Sequence, residues 1–380
     1  MATTTAALLK PLQLGSTSLR NRVFMAALTR NRSVPTNVPN ALNLEYYTQR
    51  ARGGAGLIVT EGTTVDQQGL PWEHTPGIWS PEQIEGWKKI TESVHAEGSR
   101  IFVQLAHGGR LCHPDAPEQK QSGRPVYAPS AIAARGGKFH FIPGQPGYAI
   151  PTEVPDPSVL VDTYKRAAVN AKAAGFDGIE VHGASGTLIP QFLDTGSNIR
   201  TDSWGGSVAN RCRFALEVLK AVVDVFGPDK VAIKLNPAGG ANDVGMPLQE
   251  TIDTFSYLLT EADKLPLAYI CLSRYRPASD PPIDGKPRGT PHDILQTYRP
   301  FIKRTPLVLN GGLSPPEAST LIAEGKIDAA QFGWLWIGHP DLVKRIERGL
   351  PLDAVVVPAQ LYGAEEGAKG YTDYPEAVVA

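Results

Sequence analysis

The chain alternates short runs of apolar and β-branched residues with longer amphipathic stretches. Eight short runs read as strands, at 21–27, 57–60, 100–105, 178–182, 231–235, 268–272, 307–310 and 329–332. Several are continuously apolar, the pattern of parallel strands covered on both faces. Helices are predicted between most of them. One at 81–95 opens after Ser80; one at 157–174 lies between Asp156 and Gly175; one at 208–226 ends at Gly227; one at 248–265 follows Pro247. Two more, 315–324 and 340–349, start with proline near the first helical position, where its missing N–H costs little. Such alternation implies parallel βαβ units.

Eight units can close into a barrel or open into a doubly wound sheet. No strand runs into a Gly-x-Gly-x-x-Gly turn, and polar residues and glycines cluster just after nearly every strand. Both features favour an α/β fold of the (β/α)8 TIM barrel type, with its chemistry at the C-terminal face. A hairpin at 9–19 is predicted to plug the barrel floor. The Gly- and Pro-rich stretch 114–155 reads as an elaborated loop after strand three, and 277–291 as a second such loop after strand six. No linker divides the chain, so 1–380 reads as one domain.

Charge narrows the choice of partners. Thirty-seven basic residues balance 38 acidic ones, for a net charge of −1, with no basic stripe to suit a nucleic acid. Three cysteines (Cys112, Cys212 and Cys271) are too few and scattered for a disulfide framework or a zinc site, so no metal is expected. The N-terminus lacks the apolar core of a secretory signal, and no run of 18 apolar residues spans a membrane. These features predict a cytosolic enzyme acting on a small molecule, as a monomer or homodimer.

The strand ends carry the candidate chemistry. In order they offer Thr29, Glu61 with Gly62, Gln104 with His107, His182 with Ser185, Lys234, Asn310-Gly311-Gly312, and Gly333 with Trp334. The glycine turns after strands seven and eight lie where barrels bind phosphate, because backbone N–H groups without a Cβ can close on an anion. Gln104 and Lys234 offer an amide and a cation to a flavin pyrimidine ring, and Thr29 can reach its O4 edge. The competing role for Lys234 is a Schiff-base lysine, also common in barrels. His182 and Ser185 make a donor pair suited to a carbonyl oxygen gaining negative charge.

These residues, with several longer blocks, resemble the old yellow enzymes. The blocks are Leu19-Arg-Asn-Arg-Val, Phe102-Val-Gln-Leu-Ala-His-Gly-Gly-Arg110, His182-Gly-Ala-Ser-Gly-Thr-Leu188, Trp204-Gly-Gly-Ser-Val-Ala-Asn-Arg211 and Gly370-Tyr-Thr-Asp-Tyr-Pro375. The resemblance implies an FMN-dependent ene-reductase that takes its hydride from NAD(P)H. By the same resemblance Thr29, Gly62, Gln104 and Lys234 contact the flavin ring, and Gly311, Gly312, Gly333 and Trp334 lie at the phosphate. His182 then holds the substrate carbonyl, and Tyr362 sits over the substrate.

Departures from the family pattern bear on function. Ser185 stands where a His or Asn donor is usual, and Thr187 where a tyrosine delivers the proton. Lys234 and Trp334 replace two arginines, at the ring and at the phosphate, and Ala106 replaces a tryptophan that narrows the pocket. A threonine hydroxyl is a poor general acid, so the proton is expected from water or Tyr362. Loss of the phenol and the phosphate arginine together raises an alternative: non-reductive isomerisation or cyclisation, with FMN weakly held. A catalytically silent ligand-binding barrel is the third possibility.

Overall fold

The computed structural model describes residues 5–136, 147–363 and 367–377. The chain opens with an antiparallel pair, β1 (Leu12–Leu14) and β2 (Thr17–Leu19), and enters the barrel at β3 (Val23–Met25), β4 (Leu57–Thr64) and β5 (Arg100–Ala106). Two-residue strands β6 (Tyr127–Ala128) and β7 (Thr152–Glu153) then pair across the long loop. The barrel resumes with β8 (Gly178–Gly183), β9 (Val231–Leu235), β10 (Tyr269–Ser273), β11 (Leu307–Asn310) and β12 (Ala329–Phe332). Its strands close in the order β3-β4-β5-β8-β9-β10-β11-β12 and back to β3. All eight expected strands are present. Part of the expected loop at 114–155 (137–146), and the ends of the 1–380 domain, lie outside the described residues.

The outer ring begins with α1 (Ala41–Arg52), a helix that apolar periodicity does not reveal. Its buried face mixes Tyr46, Tyr47 and Ala51 with Asn43, Thr48 and Arg50, so the apolar stripe is broken. Asn40 caps it by accepting from the Leu42 and Asn43 N–H groups, and the Asn43 amide oxygen accepts the Asn40 N–H in return. Next come α2 (Pro81–Ala96), α3 (Pro117–Gln121), α4 (Ser158–Ala173), α5 (Leu188–Leu193), α6 (Val208–Phe226), α7 (Leu248–Ala262) and α8 (Ile294–Tyr298). The last three are α9 (Pro315–Ala323), α10 (Trp334–Gly338) and α11 (Leu342–Arg348). The helix expected at 340–349 starts only at Leu342. Asp341 sits before its first turn and binds Arg345 at 2.7 Å.

Hairpin residues Leu14 and Leu19 pack with Phe24, Phe102, Tyr269, Cys271 and Val308 into an apolar floor. The expected plug is therefore present. Above it the barrel interior turns polar, because the Tyr269 hydroxyl points up and donates to Glu180 Oε2 at 2.8 Å.

One long-range tie positions the barrel rim. Arg30 donates to the Gly370 carbonyl at 2.6 Å, Arg32 to Gln360 at 2.9 Å, and Arg50 to Tyr371 at 3.3 Å. Tyr371 is fully buried and stacks on Tyr46, with ring centroids 4.2 Å apart. Three guanidiniums thus satisfy C-terminal carbonyls that have no ladder partner.

Candidate active site

The C-terminal mouth of the barrel holds a cavity of about 740 Å³. Its wall includes Thr29, Gly62, Gln104, His182, Ser185, Thr187, Lys234, Gly311, Gly312, Gly333 and Trp334. Eleven expected site residues from seven strand ends converge here. Tyr362 is not in that wall.

A bulge shapes the floor. Val59 pairs with Phe102 but Gly62 with Gln104, so β4 takes one residue more than β5 over this stretch. The Gln104 N–H goes instead to Thr60 Oγ1 at 3.0 Å. The Gln104 side chain donates from Nε2 to Glu180 Oε1 at 2.8 Å. A carboxylate only accepts, so the amide oxygen must face the other way. It would lie 3.5 Å from a Cβ placed on Gly62. A Cβ at 62 would sit in ordinary van der Waals contact with this acceptor; glycine leaves that contact unfilled.

Glu180 is the hub beneath the cavity. Besides Gln104 and Tyr269 it accepts from Gln331 Nε2 at 2.7 Å, and Gln331 Oε1 accepts from Lys234 Nζ at 3.2 Å. Burial, then the Glu180 charge, holds the Tyr269 phenol far above its ordinary range, so it stays a donor. Acceptor (Gln104 Oε1) and cation (Lys234) are thereby oriented by one buried carboxylate. Sequence reading passed over Glu180 and Gln331. The available signal was a charge inside the apolar run Gly178-Ile-Glu-Val-His182, since glutamate is rarely buried without partners.

His182 lies two residues beyond Glu180 on β8, in register with Lys234 of the neighbouring β9. Burial and the Lys234 charge push its pKa down to about 3, so the imidazole is neutral at pH 7 and carries one N–H. Its Nδ1 is buried with no partner among the described residues. Ser185 has a left-handed backbone, φ +58°. Its N–H donates to Asn236 Oδ1 at 3.1 Å, and its carbonyl accepts from Asn242 Nδ2 at 2.7 Å. Thr187 directs its hydroxyl at the Ala184 and His182 carbonyls, 2.9 and 3.2 Å away. That proton is engaged by backbone rather than offered to the cavity.

Two strand-end residues turn away from the cavity. His107 accepts the Gly109 N–H at Nδ1 (3.0 Å), so its Nε2–H faces Gln68 Oε1 at 3.1 Å. Burial is the main cause that lowers its pKa to about 4. Glu61 accepts the Arg30 and Asn31 N–H groups at 3.0 and 2.9 Å, which fixes the segment carrying Thr29.

The far end of the cavity is built from glycine turns. Gly311 (φ +102°) and Gly312 (φ +72°) both use the left-handed half of backbone space, and a Cβ on Gly312 would meet nothing within 4 Å. Gly333 precedes Trp334, which opens α10 and is 42% exposed. At the opposite rim the Tyr362 ring stacks on Trp72, centroids 5.2 Å apart, and Trp72 lines the cavity. Arg30 and Arg32 hold the preceding carbonyl (3.0 and 3.2 Å), and Asn31 accepts the following N–H at 2.9 Å.

Among the described residues no helix is long and apolar enough to cross a membrane. Residues 7–353 match the family described as NADH:flavin oxidoreductase / NADH oxidase. The chain is 39% identical to the NADP-dependent oxidoreductase lnbE of Aspergillus flavus, over 97% of this chain and 96% of that protein. It is 36% identical to a probable flavin mononucleotide-dependent alkene reductase of Leishmania infantum, over 97% of both. The solved structure of morphinone reductase in complex with tetrahydroNAD superposes with a TM-score of 0.85 at 38% identity, over 98% of each chain.

Proposed function

Because the chain belongs to the NADH:flavin oxidoreductase / NADH oxidase family, that of the old yellow enzymes, we propose that it is an FMN-dependent ene-reductase. It reduces the activated C=C bond of an α,β-unsaturated carbonyl compound with NAD(P)H. The observation that carries this proposal is the pairing of the open Gln104 acceptor over Gly62 with the Lys234 cation, both held through Glu180.

The residues present fit flavin mononucleotide. Gln104 Oε1 suits the pyrimidine N–H, Lys234 suits the edge that becomes anionic on reduction, and Thr29 suits the O4 side. Gly62 leaves room for a flat ring. Gly311, Gly312 and Gly333 offer backbone to the phosphate end, where Trp334 adds an apolar wall. Held by these residues, FMN would supply hydride transfer from the nicotinamide to the β-carbon of the alkene.

The protein's own groups then act on the carbonyl. His182 donates its single neutral N–H to the substrate oxygen, which gains negative charge as the β-carbon is reduced. Ser185, on the exposed turn clamped by Asn236 and Asn242, is the second donor. Thr187 shapes this turn and does not deliver the proton. The α-carbon proton comes from solvent entering past Ala106, or from Tyr362 at the rim.

Named relatives are reductases and oxidoreductases, which favours reduction over isomerisation, cyclisation or silent binding. Cytosolic action of residues 1–380 as one domain, on small molecules alone and as a monomer or homodimer, completes the proposal. The three buried free thiols and the net charge of −1 support it. The test is the visible spectrum of purified protein. A flavin spectrum that NADPH bleaches without oxygen, and that an α,β-unsaturated aldehyde or ketone restores with saturated product, is expected. Colourless protein that takes up no FMN would overturn the proposal.

A further inference from the structure

We propose, resting on the flavin reading above, that Arg274 supplies the cation for the nucleotide's phosphate, from the loop after β10 rather than the turn after β12. Among the described residues, Lys234, Arg274 and Arg276 are the Lys and Arg side chains that line the cavity. Lys234 is tied to Gln331 at the barrel centre, away from the glycine turns. The turn after β12 carries Trp334 and no charge. A phosphate seated between Gly312 and Gly333 must therefore find its counter-charge elsewhere.

Arg274 is built against the first of those glycines. Its N–H donates to the Asn310 carbonyl at 2.9 Å. A Cβ on Gly311 would lie 2.9 Å from the Arg274 nitrogen and 3.1 Å from its Cβ. Glycine at 311 is thus what allows the Arg274 chain to lie directly beside the phosphate turn. The side chain is 31% exposed, and its Nη2 holds Glu317 Oε1 at 2.7 Å, on the first turn of α9. That pair ties the guanidinium to α9, the helix that follows the Gly311-Gly312 turn. A guanidinium has five donors, so binding one carboxylate oxygen leaves others free for a phosphate. Half-exposed ion pairs are weak and rearrange at small cost.

FMN and riboflavin differ by the phosphate alone, and titration of apoprotein with each, followed by flavin fluorescence, isolates the charge. Arg274→Ala is expected to weaken FMN binding about tenfold or more, in the range of a lost charge-assisted hydrogen bond, and to leave riboflavin binding unchanged. Trp334→Arg in the Arg274→Ala background is expected to restore FMN affinity, which also shows that the fold survives. An unchanged FMN-to-riboflavin ratio in Arg274→Ala would overturn the assignment. Wild-type protein that binds neither flavin would instead overturn the flavin reading beneath it.

Discussion

Gln104 Nε2 donates to Glu180 Oε1 at 2.8 Å, and this bond decides which atom of the Gln104 amide faces the cavity. The other Glu180 oxygen holds Gln331 and Tyr269, so one buried carboxylate organises the layer between apolar floor and site.

Glu180→Gln is therefore expected to act on both stability and binding. An amide has one accepting oxygen for three donors, leaving at least one buried donor unmet. Such a loss costs about 1–3 kcal/mol, read as a lower urea midpoint. Flavin affinity is expected to fall with it, since Gln104 is no longer held with its oxygen toward Gly62. Unchanged stability together with unchanged flavin binding would show that the hub is dispensable.

Acid sensitivity follows from two histidines, His107, which is buried, and His182, which is half-buried in the cavity wall. His107 and His182 have folded pKa values lowered to about 4 and about 3 from 6.5. Below pH 6.5 the unfolded chain binds protons that the folded chain refuses, so stability falls with pH from about 6.5 down to 3 and is full above that window. His107→Gln is expected to flatten part of this slope in urea midpoints measured between pH 4 and 7. His182 itself stays neutral from pH 5 to 8, so no limb of the kcat/KM profile in that range belongs to it.

Thr187 offers a direct test of the proton source. Thr187→Tyr is expected to raise the rate of alkene reduction by about tenfold or more, since a positioned general acid contributes roughly 10²–10⁴ in rate. Thr187→Val is expected to lower stability by about 1 kcal/mol through the lost bonds to Ala184 and His182. Its solvent isotope effect should match wild type. A changed isotope effect in Thr187→Val would return the acid role to that hydroxyl.

The C-terminal tie predicts a remote effect on substrate binding. Tyr371 is stacked on Tyr46 and lies 5.0 Å under the Arg30 guanidinium. Tyr371→Ala is expected to cost about 3–5 kcal/mol and to raise KM more than it lowers kcat, because Tyr362 and Trp72 at the rim lose their support. Equal KM values would separate the tie from the rim.

Local pattern carried most of the architecture. Short runs of apolar and β-branched residues marked all eight barrel strands, several of them continuously apolar, because parallel strands buried on both faces admit few polar residues. Proline and serine at helix starts marked α2 and α9 for a similarly local reason, the unpaired N–H groups of a first turn, and Gly227 marked the end of α6. Strand-end polarity likewise brought Thr29, Gly62, Gln104, His182 and Lys234 forward as one group.

The His182-Gly-Ala-Ser185 turn shows where local pattern stops. Its residue types suggest two donors and an acid. Only the folded chain turns Thr187 onto backbone carbonyls, clamps Ser185 between Asn236 and Asn242, and leaves His182 neutral beside Lys234. Glu180, Gln331 and Arg274 gain their roles from strands far apart in sequence that meet across the barrel. The sequence by itself determined the strands, their parallel order and the residues at their ends. Hydrogen-bond direction, protonation and the partner of each charge were decided only by the tertiary structure, because they depend on neighbours that chain order does not reveal.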